Sequence, residues 1–165
     1  MRVRSTLWGY VLGACALLAS AIAHADEAHV QECLARAAST FDVDLVALQI
    51  LRELEGGQAG SASANTNGTY DYGPMQINSR WAGVLAQVGV SMESVRDDEC
   101  VNAFVAAWIF RDALQATSST AMAIARYHSS TPHFQERYLS KALDVVRRQR
   151  TQTENQSHSP MEQQK

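Results

Sequence analysis

The sequence predicts a single, mostly α-helical domain with one small β-hairpin, an α+β fold. Three observations carry that expectation. Apolar residues recur at three- and four-residue steps along most of the chain. Residues 58–80 break this period and concentrate Asn and Gly around the tight-turn pair Asn67-Gly68. Removal of an N-terminal leader leaves 140 of 165 residues, a length that suits one core.

The leader is residues 1–25. Arg2 and Arg4 give a basic start, an apolar run follows from Leu7 to Ile22, and Ala23-His24-Ala25 forms a small-residue cleavage site. That pattern is a secretory signal peptide and implies a periplasmic protein. The competing readings are an uncleaved anchor, for which the run is short, and lipidation at Cys15. Cleavage removes two arginines and no acid, so 12 Lys plus Arg remain against 17 Asp plus Glu, a net charge of −5. No basic patch speaks for nucleic acid. A net negative charge brings no attraction to anionic bacterial surfaces from outside, which favours action where the protein is delivered.

The elements follow in order. Residues 27–40 place Val30, Cys33, Leu34 and Ala37 on one helical face. Asp42 is expected to cap the next helix, in which Val43, Val46, Ala47, Ile50, Leu51 and Leu54 recur until Gly56-Gly57 stops it. After the hairpin, residues 81–90 resume a helical pattern and 91–99 read as a polar link. Residues 100–114 are apolar almost all round, as a buried central helix should be. Residues 120–128 form another helix. Thr131 and Pro132 open the last, with Phe134, Tyr138, Ala142 and Val145 inward. The domain is expected over 26–150, and 151–165, almost without aliphatic or aromatic residues, reads as a disordered polar tail.

Cys33 and Cys100 suit a disulfide in an oxidising compartment, the alternative being two buried thiols. The four histidines beyond the leader are scattered without acids at ligand spacing, so no metal site is expected.

Glu55 is the first candidate for chemistry. It sits in the last turn of an apolar helix, where the negative end of the helix dipole disfavours a carboxylate by ~0.3–1 kcal/mol. The same placement favours the protonated carboxyl, which suits a general acid. The two glycines that follow are expected to leave room for substrate. Glu53, two residues earlier, lies on the opposite face and reads as solvated. Asp71 alternates with Tyr70 and Tyr72 on the expected strand, so a second carboxyl can face Glu55 across a cleft. Gly73 and Pro74 bend the chain, Met75 and Gln76 are expected to line the groove, and Gln76 and Asn78 offer amides to sugars.

The run E-G-G … N-T-N-G-T-Y-D-Y-G-P-M-Q-I-N-S-R-W, followed by D-x-E-C-x-N … A-A-W-I and A-x-A-R-Y-H-S, resembles the soluble lytic transglycosylase domain. The likeness spans roughly 27–147 and is greatest to small stand-alone enzymes of type IV secretion, conjugation, type III secretion and pilus systems. It implies a lysozyme-like fold, with Glu55 as catalytic acid/base and Gly73, Met75 and Gln76 in the cleft motif, where Pro74 replaces the usual Leu. It also places Tyr127 in the cleft near the acid. His128 and Ser130 depart from the family's usual Asn and Gly, which leaves the roles of His128 and Ser129 open. The implied substrate is the peptidoglycan glycan strand, cleaved between N-acetylmuramic acid and N-acetylglucosamine to a 1,6-anhydro sugar by a monomer without metal or organic cofactor. The run around Asp71 is also similar to animal c-type lysozymes, which implies hydrolysis with Asp71 as second carboxylate. A non-catalytic glycan-binding or assembly factor is the third reading.

Overall fold

The computed structural model describes residues 27–117 and 119–157; the expected signal peptide and the last eight residues of the expected tail lie outside them. Helix α1 covers 27–41. Helix α2 (Leu45–Glu55) leads to a three-stranded sheet of β1 (Ala62–Ala64), β2 (Tyr70–Tyr72) and β3 (Ile77–Asn78). A 3-10 turn (Ser79–Trp81), α3 (Ala82–Gln87), α4 (Met92–Asp97), α5 (Glu99–Gln115), α6 (Thr120–His128) and α7 (Pro132–Ser157) complete the chain. No described helix is long and apolar enough to cross a membrane.

The cap of α2 is Asp44, whose side chain accepts from Val46 N, rather than Asp42. Asp42 sits at φ 53 in the left-handed turn that closes α1, so the extended backbone a cap requires falls two residues later. The antiparallel sheet pairs Ala62 with Tyr72 and Tyr72 with Ile77. Asn65 N–H donates to Thr69 O across the Asn67-Gly68 turn, the expected hairpin. The third strand was not expected: two residues are too few to show alternation, and the buried Ile77 anchors it. Helix α4 lies within the expected polar link. Ser91 caps it through Ser94 N and Val95 buries its one inward face. The helix expected over 81–90 is shorter and ends before Gly89, at φ 76.

Helix α5 runs through the core. Ala103, Ala106, Ala107 and Ala113 are buried, their small side chains admitting close neighbours, and Phe110 is the largest of the fully buried side chains. Trp108 meets Trp81 edge-on at 5.2 Å, and Phe104 meets Phe41 at 6.2 Å. The disulfide Cys33–Cys100 ties α1 to the first turn of α5, with Cα atoms 4.8 Å apart.

Asn102 is the buried polar residue of this core. Its Oδ1 accepts from Met75 N at 2.8 Å, and its Nδ2 donates to Tyr72 O and Val95 O at 3.0 and 2.8 Å. One side chain thereby fastens the 72–75 turn and the end of α4 to α5.

Helix α7 packs on α2 and α6 through Tyr138, Ala142 and Val145. Phe134, expected inward, is half exposed. The helix continues to Ser157, seven residues into the segment expected to be a disordered tail. No Gly or Pro interrupts 133–157. Thr151 and Thr153 hydroxyls bond the carbonyls one turn back, and Glu53 of α2 accepts from Arg148 and Gln149 at 2.7 and 3.1 Å. Glu53 is therefore a tether for α7 rather than a merely solvated acid.

Candidate active site

Glu55 is the last residue of α2, and Gly56 caps the helix in the left-handed conformation at φ 59. Gly57 does not open space for substrate. A Cβ there would overlap the Gly73 carbonyl oxygen and come within 2.5 Å of Gln76 Nε2. Its N–H donates to Pro74 O at 3.1 Å, so the pair of glycines joins the helix end to the 73–76 turn.

That turn is held tightly. Gly73 adopts φ 66, and a Cβ there would lie 2.5 Å from Asn102 Nδ2 and 2.8 Å from Val95 O. Gln76, at φ 50, occupies a conformation that non-glycine residues rarely take, and its Nε2 donates to Gly73 O at 2.9 Å. Met75 gives its N–H to Asn102 and its carbonyl to Tyr127, which turns the side chain into the core with 1% exposure. Gly73 and Met75, expected in the groove, are thus its support and do not line it.

A cavity of about 460 Å³ opens over Glu55. Asn65, Asp71, Gln76, Asn78, Trp81 and Tyr127 are among the residues that line it, with His128, Ser129 and Phe134 along its wall. Asp71 shares the cavity with Glu55, and amides fix both its oxygens: Asn65 Nδ2 donates at 2.8 Å and Asn78 Nδ2 at 2.7 Å. Asn78 also donates to Thr69 Oγ1 and accepts from Arg80 N. Both ends of its amide are therefore committed to the protein.

Tyr127 lines the cavity, but its hydroxyl donates to Met75 O at 2.9 Å and not to Glu55. Burial holds its phenol well above the usual range, with the charges of Glu55 and Asp71 adding to it. Tyr138 instead bonds the acid. Its hydroxyl donates to Glu55 Oε1 at 2.6 Å, and burial, then the charge of Glu55, pushes the phenol far above its ordinary value. His128 stacks on Tyr138 with ring centres 4.3 Å apart and planes 10° from parallel. Its Nδ1 lies 3.8 Å from the same Oε1, a distance for an ion pair when the imidazole is protonated but too long for a hydrogen bond.

The Glu55 side chain is 12% exposed. Its Oε1 is occupied by Tyr138, while Oε2 carries no hydrogen bond among the described residues. The arrangement thus presents one nearly buried, oriented carboxyl whose second oxygen is left for a proton to be given or taken. Sequence reasoning assigned Tyr138 to the core. The signal was there: a tyrosine on an apolar stripe needs a partner for its hydroxyl.

The chain is similar to Protein IpgF of Shigella flexneri. The two are 29% identical over 119 residues, which is 71% of this chain and 78% of that protein. Invasion protein IagB of Salmonella typhimurium is 25% identical over 122 residues, 71% of this chain and 76% of that protein. No protein-family model matches the chain.

Among the described residues, His29, Cys33 and Cys100 bring potential metal donors within 4.8 Å. Their two sulfurs are bonded to each other, which removes the thiolates a metal would need.

Proposed function

We propose that the protein is a peptidoglycan lytic transglycosylase acting between N-acetylmuramic acid and N-acetylglucosamine. The observation that carries this reading is the Glu55 carboxyl, gripped at one oxygen by Tyr138, beneath a cavity walled by amides and aromatic rings. Protonated Glu55 donates to the glycosidic oxygen as the bond to the muramyl carbon breaks. The positive charge at that carbon is met by the substrate's own N-acetyl carbonyl. Glu55, now a carboxylate, takes the proton of the muramyl 6-hydroxyl, which closes the 1,6-anhydro ring. Atoms balance without water, because an internal hydroxyl stands in for a positioned one. Tyr138 remains a donor in both half-steps, since its phenol does not ionise at any working pH. The chain's own residues supply all the proton traffic, so the reading calls for neither metal nor organic cofactor.

Similarity to a protein named for invasion supports local opening of the wall for a secretion, conjugation or pilus apparatus. Periplasmic action and a monomeric state belong to the same proposal.

Asp71 favours a second reading. It lies in the same cavity as an oriented carboxylate, as a lysozyme-type hydrolase would place it. The amide donors on both its oxygens suit an electrostatic role better than attack on carbon. Mass spectrometry of fragments released from purified sacculi separates the two: 1,6-anhydro-muropeptides support transglycosylation, and reducing ends support hydrolysis. Glu55→Gln should clear no peptidoglycan in a zymogram while keeping the wild-type circular dichroism. Clearing by that variant rules out Glu55 as the proton donor in both readings, and a wild type that clears nothing rules out the enzyme.

A further inference from the structure

Beyond the Glu55 cavity lies a second, smaller one of about 210 Å³, lined by His128, Phe134, Arg137, Tyr138 and Lys141. The two share His128 and Phe134, so the smaller is a continuation of the groove. Tyr138 is the partition: its hydroxyl holds Glu55, and its ring helps wall the notch. Residues 134, 137, 138 and 141 fall on one face of α7 by helical spacing.

The charge of the notch is unlike that of the chain. No lining side chain is acidic, although acids outnumber Lys plus Arg by 17 to 14. Farther along the same helix, Arg147 and Arg148 are paired with Asp144 and Glu53. Arg137 and Lys141 have no hydrogen bond or ion pair among the described residues. Two unpaired cations therefore open directly off a cavity whose own acids are Glu55 and Asp71.

Resting on the reading above, we propose that this notch is the subsite for the carboxylates of the peptide that each muramyl residue carries. The sugar backbone next to the scissile bond is uncharged, so it gains nothing from Arg137 and Lys141. The stem peptide hangs from the muramyl lactyl group and bears free carboxylates. A guanidinium takes a carboxylate in a two-pronged hydrogen bond, and an ammonium one helical turn away adds a second point of charge. Phe134, half exposed at the shared rim, gives the peptide an apolar edge to lie on. The enzyme thereby selects strands that carry peptide over bare ones.

The test compares soluble glycan strands bearing intact stem peptides with strands stripped by an amidase, which leaves only the lactyl carboxylate. Wild type should show roughly tenfold higher kcat/KM on peptide-bearing strands. Arg137→Ala/Lys141→Ala should lose that preference through KM, and raised salt should shrink it in the wild type. Arg137→Glu/Lys141→Glu should invert it. Equal wild-type rates on both substrates overturn the subsite. An equal fall of the double alanine variant on both substrates also overturns it and assigns the cations to the fold. A fall confined to stripped strands overturns it by assigning them to the lactyl carboxylate. A wild type that cleaves neither substrate sinks the enzymatic reading itself, an outcome distinct from cleavage without preference.

Discussion

Tyr138 donates its hydroxyl hydrogen to Glu55 Oε1 at 2.6 Å, across 83 positions of sequence. The last helix of the domain thus aims a carboxyl that ends its second helix. A short bond from a neutral donor to an ionisable acceptor fixes both the direction of the carboxyl and which of its oxygens is left without a partner among the described residues.

Tyr138→Phe keeps the ring that stacks on His128 and removes only that donor. Turnover should fall roughly 10- to 100-fold, the worth of one hydrogen bond to a charged group. KM should change little, because the groove wall is kept. The melting temperature should fall by a few degrees with the lost bond to a nearly buried carboxyl. Steady-state kinetics on peptide-bearing strands read the split. A loss confined to KM would place Tyr138 among substrate contacts and not behind the acid.

The raised phenols of Tyr127 and Tyr138 make stability depend on alkaline pH. Below about pH 10 both hydroxyls are protonated in the folded and unfolded chain alike, so they add no slope. Above it the unfolded phenols ionise while the folded ones hold their protons. Stability should then fall by up to about 1.4 kcal/mol per pH unit for each tyrosine. Tyr127→Phe should remove one such contribution, seen as a shallower decline of denaturation free energy between about pH 10 and 11. An unchanged slope would mean that Tyr127 ionises in the folded chain.

Asn102→Ala leaves Met75 N–H and the carbonyls of Tyr72 and Val95 without their shared partner inside the core. Each such buried group costs about 1–3 kcal/mol, so the variant should lose at least roughly 3 kcal/mol. Its melting temperature should drop by about 10 °C. Asn102→Asp keeps an acceptor for Met75 but no donor for the carbonyls, and should be destabilised as well. A near-native melt for both would show that water or a shift of the turn replaces the amide.

Much of this was legible in the sequence because local rules sufficed. Long apolar periods marked α1, α2, α5 and α6. Asn67-Gly68 marked the hairpin, and the unfavourable position of Glu55 marked the acid. What was not legible depended on partners far away in the chain. Short elements such as α4 and β3 carry too few apolar residues to show a period. Met75 looked like a groove residue because nothing local reveals that Asn102 and Tyr127 take its backbone N–H and carbonyl. The glycines after Glu55 looked like space for substrate, whereas Gly57 is small because the backbone of Gly73 lies against it. Tyr138 looked like core because an inward tyrosine and an acid-positioning tyrosine have the same helical phase.

The disulfide closes a loop of 67 residues that contains Glu55 and Asp71 but neither Tyr127 nor Tyr138. In the chain-entropy account, that closure stabilises the fold by roughly 4 kcal/mol, acting on the unfolded chain and not on the site. Cys33→Ser should therefore lower the melting temperature by about 10 °C or more, while cleavage at low temperature persists. Wild type treated with a dithiol reductant should show the same shift without the added cost of a serine hydroxyl at a position 1% exposed. Equal melting of reduced and oxidised wild type would show that the bridge contributes nothing. Loss of low-temperature activity on reduction would show that it holds the two halves of the site together.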